Sequence, residues 1–145
     1  FSDTTRYRSP QFAHGPRWQL YEGTGDVWRD DLTGHEVVPG VTLVPLPGHS
    51  RGHAAVAVDA GERGLLVHAG DAAYDASWFA DVSVTGAPLE VEPATRRSEQ
   101  LIPADRKLMA RNRARLRVLN QHADVTVVNA HDPRMLEGLQ DVNMH

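Results

Sequence analysis

The chain has 145 residues, of which 41% are apolar and 23% charged, a length and composition that allow one buried core and leave no room for two ordinary domains. It contains no cysteine, which excludes disulfides, thiolate nucleophiles and thiolate ligands and restricts any metal site to His, Asp or Glu. The formal net charge of −4 argues against a general polyanion binder, and no uncharged apolar run approaches the ~20 residues of a membrane span.

Residues 1–35 are rich in Gly, Pro, Arg and aromatics without steady periodicity and read as an irregular lead-in. Within it "SPQFAHGPRW" predicts a loop with at most a short helical turn, packed by its aromatics. Nothing after Phe1 resembles a signal peptide and Phe1 is not an initiator methionine, so the natural N-terminus is expected upstream, with a cytoplasmic location as the default expectation. From Glu36 to Val44, "EVVPGVTLV" predicts two short strands about a turn at Pro39 and Gly40, with an extended lead into His49. Ala54 to Val58 and Leu65 to His68 predict strands joined by a turn around Gly61 to Gly64, the second ending at Gly70-Asp71. Asp81 to Gln100, with Pro88 and Pro93, reads as irregular. Ala104 to Gln121 has no Gly or Pro and predicts a long helix. Its cations Arg111, Arg113, Arg115 and Arg117 girdle the helix at 100° per residue and do not line one face, which favours a solvated helix with an apolar stripe of Leu108, Leu116 and Leu119 over a nucleic-acid surface. Val125 to Val128 predicts a short buried strand, and Pro133 to about Leu139 a short helix.

Three times an apolar strand ends and a metal-competent side chain appears: His49 after "VTLVPLPG", Asp71 after "LLVHAG" and His131 after "VTVVNA". Strand ends hold side chains rigidly while their heads project into a cleft, and imidazole and carboxylate suit zinc, iron or manganese. Taken singly, a histidine after a strand is ordinarily a hydrogen-bonded loop residue and the Asp of "GD" a turn former. Taken in order, "PGHSRGH", "GDAAY" and "AHD" resemble the C-terminal half of the metallo-β-lactamase-fold hydrolases, over about Glu36 to Leu139.

That resemblance implies an α/β fold, the C-terminal half of an αββα sandwich, as a single domain over residues 1–145 that is incomplete at its N-terminus. It implies two divalent metal ions, zinc first, with His49 binding one, Asp71 bridging both and His131 binding the other. His53, four residues after His49, is expected to support the loop and not to bind metal. The implied chemistry is hydrolysis by a metal-bound hydroxide, with Asp71 holding the metal pair. Tyr74 resembles a tyrosine that hydrolases of N-acyl homoserine lactones use to hydrogen-bond the substrate carbonyl, so an ester or lactone-like small molecule is the expected substrate. Thioesterase or nuclease activity of the same fold stands as an alternative.

The sequence departs from the family in one respect: the "HxHxDH" signature, which supplies the other ligands and an acid/base Asp, is absent. A non-catalytic fragment or degenerate domain acting through its exposed sheet is therefore a further alternative. Val41, Leu43, Ala54, Val56, Val58, Leu65, Val67, Val125 and Val127, or their neighbours, predict a sheet that helices cover on one face only. The other face is expected to be covered by an upstream segment, a second chain or a second copy of this one.

Overall fold

The computed structural model describes residues 8–23, 25–101 and 103–141. Along them run six strands, β1 (Asp26–Arg29), β2 (Leu32–Val38), β3 (Val41–Pro45), β4 (Ala54–Asp59), β5 (Leu65–His68) and β6 (Val125–Val128). Three α-helices follow or interrupt them: α1 (Pro93–Leu101), α2 (Arg106–Leu119) and α3 (Pro133–Asp141). The strands form one sheet in chain order, antiparallel from β1 to β5, with β6 added parallel to β5. A parallel neighbour requires a crossover, and the segment carrying α1 and α2 supplies it.

Register sorts the side chains into two faces. Thr42, Ala57, Val67 and Val127 share one row, and Val44 pairs with Ala55 on the same side. Val44, Ala55, Ala57, Val67 and Val127 are almost completely buried, in one cluster with Leu116 and Leu119 of α2. On the opposite face His35, Leu43, Val56, His68 and Val128 form one row and Val41, Val58, Leu66 and Thr126 another. Val128 is buried there, but Leu43, Val56 and Leu66 are only half-buried and Val58 is exposed. The α/β fold expected from the sequence is observed, but helices do not keep to one face: Leu116 and Leu119 of α2 pack on the first, while Leu136 and Leu139 of α3 share a cavity with Leu66, His68 and Val128 of the second.

Two segments differ from expectation. Residues 26–35, expected to be irregular, carry β1 and the start of β2, because Trp28 and Leu32 pack against the core and Arg29 pairs with Asp124 at 2.8 Å. Of the aromatics ahead of them, Phe12 and Trp18 touch edge to face but stay 38% and 66% exposed, whereas Tyr21 is half-buried with its ring 5.5 Å from that of His35. Residues 81–100, expected to be irregular, end in α1. Pro93 occupies its first turn, where a missing N–H leaves no intrahelical bond unmade.

The long helix expected over 104–121 is α2, started by Asp105, whose carboxylate accepts from the N–H groups of Lys107 and Leu108. Its inward stripe is not the one expected. Leu108 is 39% exposed, and Met109, Asn112 and Arg113 turn inward beside Leu116 and Leu119. The loop before β4 sets that rotation. A Cβ on Gly48, which sits at φ 147°, would lie 2.7 Å from the Met109 nitrogen, and Asn112 donates to the Pro47 carbonyl at 2.7 Å. Three of the four girdle arginines are matched by carboxylates, Arg113 by Glu99 at 3.0 Å, Arg115 by Asp31 at 2.8 Å and Arg117 by Asp81 at 2.5 Å. Among the described residues no helix is long and apolar enough to cross a membrane.

Candidate metal centre at the rim of the sheet

The pairing of Pro45 with Ala54, Val56 with His68 and His68 with Val128 brings the ends of β3, β5 and β6 to one rim. The loops that follow carry His49, Asp71 with Tyr74, and His131. Backbone bonds stitch two of these loops together, from Ala69 N to Val128 O at 2.7 Å and from Ala130 N to Gly70 O at 3.2 Å.

All four side chains meet. His49 Nε2 lies 3.2 Å from one oxygen of Asp71, and His131 Nε2 lies 2.9 Å from the other. Tyr74 stands between the imidazoles: its hydroxyl is 3.4 Å from His49 Nδ1, and its ring centroid is 4.3 Å from that of His131. His49 is the shielded member, with 12% of its side chain exposed against 35% for Asp71 and 48% for His131.

His53 occupies a different position. Its Nδ1 is 3.0 Å from the Leu46 carbonyl, and its Nε2 is 3.0 Å from the backbone N–H of Asp71. A carbonyl can only accept and an amide N–H can only donate, so the ring is the neutral tautomer protonated at Nδ1. Burial lowers its pKa below the usual histidine value, against opposing pulls from the Leu46 carbonyl and Asp71, which favours that neutral form. Gly70 makes the approach possible: it sits at φ 54°, and a Cβ there would lie 3.0 Å from His53 Nε2. Both ring nitrogens are committed, so His53 clips the loop after β3 to the main chain of Asp71.

Behind His131 lies a second clip. Asp132 accepts from Ala76 N at 3.0 Å and from Arg134 Nε at 2.8 Å, and Asn129 Nδ2 donates to the Ala73 carbonyl at 2.9 Å. Burial alone would raise the Asp132 carboxyl, but Arg134 and the Ala76 N–H outweigh it and hold it below the ordinary carboxylate range. Asp75 is held low in the same way: burial is opposed by the N–H groups of Glu92 and Ser77 and by Arg134. None of Asp75, Arg134 or Arg113 stood out as a site residue in the sequence, and Asp132 did so only as part of "AHD". Side chains that act by bonding to backbone leave no spacing signature.

Whether these donors suit metal can be judged from their separations. Two donors on one tetrahedral ion with bonds of ~2.1 Å stand about 3.4 Å apart. The His49–Asp71 and His131–Asp71 contacts, 3.2 and 2.9 Å, are somewhat shorter than that edge and are also hydrogen-bond distances, so these side chains could hold divalent metal, with one imidazole and one carboxylate oxygen toward any one position. No group of three or more His, Cys, Asp or Glu side chains among the described residues surrounds a single metal position, whereas a catalytic zinc ordinarily has three protein ligands.

No family model matches the sequence. The chain is similar to a probable metallo-hydrolase of Mycobacterium bovis and to one of Mycobacterium tuberculosis, each 38% identical over 141 residues, 94% of this chain and 43% of the relative. It therefore spans less than half the length of the curated relatives it matches. Among solved structures it is similar to an N-acyl homoserine lactone hydrolase holding N-hexanoyl-L-homoserine at its catalytic metal centre, with a TM-score of 0.48, 23% identity, and coverage of 77% of this chain and 36% of that one. A B. thuringiensis AiiA variant with N-decanoyl-L-homoserine bound gives the same values.

Proposed function

We propose, from the premise that this chain belongs to the metallo-hydrolase family of its mycobacterial relatives, that it carries the C-terminal part of a metal-dependent hydrolase acting on an ester or lactone-like small molecule. The observation that carries this reading is the Asp71 carboxylate, each of whose oxygens faces a different imidazole. Divalent cations held by His49, Asp71 and His131, zinc first, would supply Lewis acidity that activates water and polarises a carbonyl. The residues of the chain do the rest. Asp71 keeps its two oxygens apart because His53 pins its backbone and Gly70 lets that ring approach. With His49 Nε2 reserved as a lone pair, Nδ1 bears the proton and can donate to the Tyr74 oxygen. In that arrangement the phenol O–H is the group that would donate to the carbonyl oxygen of a substrate as charge builds there.

A second reading, a domain that does not catalyse, draws on the supply of two donors per ion. The two are separated by measuring metal content and turnover of the full-length gene product containing this chain. Stoichiometric divalent metal with hydrolysis of lactones above thioesters and phosphodiesters is expected. A full-length protein that binds no metal, or binds it and cleaves none of these, would overturn the proposal. The incomplete donor set and the open sheet face also support the reading of residues 1–145 as a domain completed by a segment from outside this chain.

A further inference from the structure

Glu99 of α1 takes no part in the chemistry proposed above, yet it is 2% exposed and lies directly behind Tyr74. One of its oxygens accepts the backbone N–H of Tyr74 and stands 3.0 Å from a terminal nitrogen of Arg113. The other accepts the indole N–H of Trp78 at 2.5 Å. Arg113 in turn donates from Nε to the Ala72 carbonyl at 2.9 Å. Two guanidinium groups lie over the Trp78 ring, Arg96 at 4.1 Å and Arg113 at 4.3 Å from its centroid, and Arg96 also reaches Ser77 Oγ at 3.1 Å. Helices α1 and α2 thus hold the segment 72–78 from below at Ala72, Tyr74, Ser77 and Trp78.

A buried carboxylate is tolerated only where it is paired and hydrogen-bonded, and a Leu or Met at the same place would pack without that demand. What the carboxylate adds is direction. Its acceptor is spent on the main chain of the residue whose ring sits between His49 and His131, with its hydroxyl 3.4 Å from His49 Nδ1. The next residue, Asp75, is fixed separately, its carboxylate accepting from Glu92 N and Ser77 N.

We propose that Glu99 is a positioning residue for Tyr74: by fixing the tyrosine's backbone and the Trp78 indole with its two oxygens, it sets the reach of the phenol toward the substrate carbonyl. This rests on the reading of Tyr74 as the donor to that carbonyl. Glu99→Gln keeps the size of the side chain but has one acceptor oxygen in place of two and no charge opposite Arg113, so one of the two N–H contacts must be lost.

The test is a double-mutant cycle in the full-length, metal-loaded protein, comparing Glu99→Gln, Tyr74→Phe and the double variant. Glu99→Gln is expected to lower kcat by about tenfold or more, with KM and metal content nearly unchanged, since a displaced reactive group costs rate more than binding. In the Tyr74→Phe background the same substitution is expected to cost less than about twofold, because there is no hydroxyl left to place. Additive losses would overturn the proposal and reduce Glu99 to a stabilising contact. A second readout does not depend on turnover: in NMR spectra, Glu99→Gln should move the Tyr74 amide, the Tyr74 ring and the Trp78 indole resonances, while exposed Glu90→Gln leaves them in place. An inactive wild type with these shifts present would sink the hydrolase reading while showing that Glu99 fixes the Tyr74 ring. Unmoved Tyr74 ring resonances would sink the positioning claim itself. Should Glu99→Gln fail to fold, Glu99→Asp, which keeps the charge and withdraws the oxygens, enters the same cycle with the same expectations.

Discussion

The rim that carries His49, Asp71 and His131 and the open face of the same sheet are both incomplete, in opposite ways. At the rim the supporting polar groups are already partnered: His53 by Leu46 and the Asp71 N–H, Asp132 by Ala76 and Arg134, and Glu99 by Tyr74 and Trp78. What the rim lacks is donors, since each imidazole shares the one carboxylate. The open face has the reverse condition: Tyr21 meets His35 at one end and Leu136 and Leu139 stand beside Leu66 and Val128 at the other, but between them Val56 is half-buried and Val58 36% exposed. The difference separates two kinds of information. The supports of His49, Asp71 and His131 lie within this chain, whereas on the reading proposed above further donors and the rest of the apolar cover come from outside it.

The largest expected effect tests the rim. In the full-length protein, Asp71→Asn replaces one acceptor oxygen with a donor NH2 and removes the charge shared by two imidazoles. Activity is expected to fall by more than about 100-fold, with loss of bound metal measured by elemental analysis. His53→Gln leaves the three donors in place and loosens only the clip on the Asp71 backbone, so a loss of about 10 to 100-fold with metal largely retained is expected. If His53→Gln proved the more damaging and released metal, His53 would be a ligand and not only a clip on the Asp71 backbone.

Between these and the smallest effect stands the loss of the phenol. Tyr74→Phe removes a hydroxyl that contacts His49 Nδ1 and leaves the ring against His131. A fall in kcat on the order of 100-fold with unchanged metal content is expected if the hydroxyl donates to the developing charge. An unchanged kcat would show that the ring merely packs.

The strands from β3 onward were legible because alternating apolar residues and the turns at Pro39-Gly40 and Gly61 to Gly64 punctuate them, and the convergence of His49, Asp71 and His131 because each follows such a strand. Strand β1 was obscured by the Gly, Pro and Arg around it. Its support is a long-range pair, Arg29 with Asp124, that no local window contains. Helix α1 carried one legible sign, Pro93 at its start, outweighed by the turn formers before it. Glu99 was invisible for another reason. A glutamate in a polar helix reads as solvated, and its burial becomes evident only once Arg113, which the helical wheel assigned to a solvated girdle, turns inward to meet it.

The smallest expected effect addresses the open face and depends on comparing one substitution in two molecules. Val56 sits mid-row between Leu43 and His68 and is half-buried in this chain. Truncation to Ala removes two methyl groups' worth of apolar surface, at roughly 0.8 kcal/mol per methylene when burial is complete and proportionately less when it is not. In the isolated 145-residue chain Val56→Ala is therefore expected to cost about 1 kcal/mol or less by denaturant titration, with the chain self-associating in size-exclusion chromatography with light scattering. In the full-length protein, if an upstream segment lies over this row, the same truncation acts on a core position and should cost about 2 kcal/mol, because a cavity term is added to the transfer term. Equal costs in the two molecules, together with a monodisperse monomer of the isolated chain, would mean that the face is tolerated as an ordinary wet surface and that the comparison between rim and face has no second half to explain it.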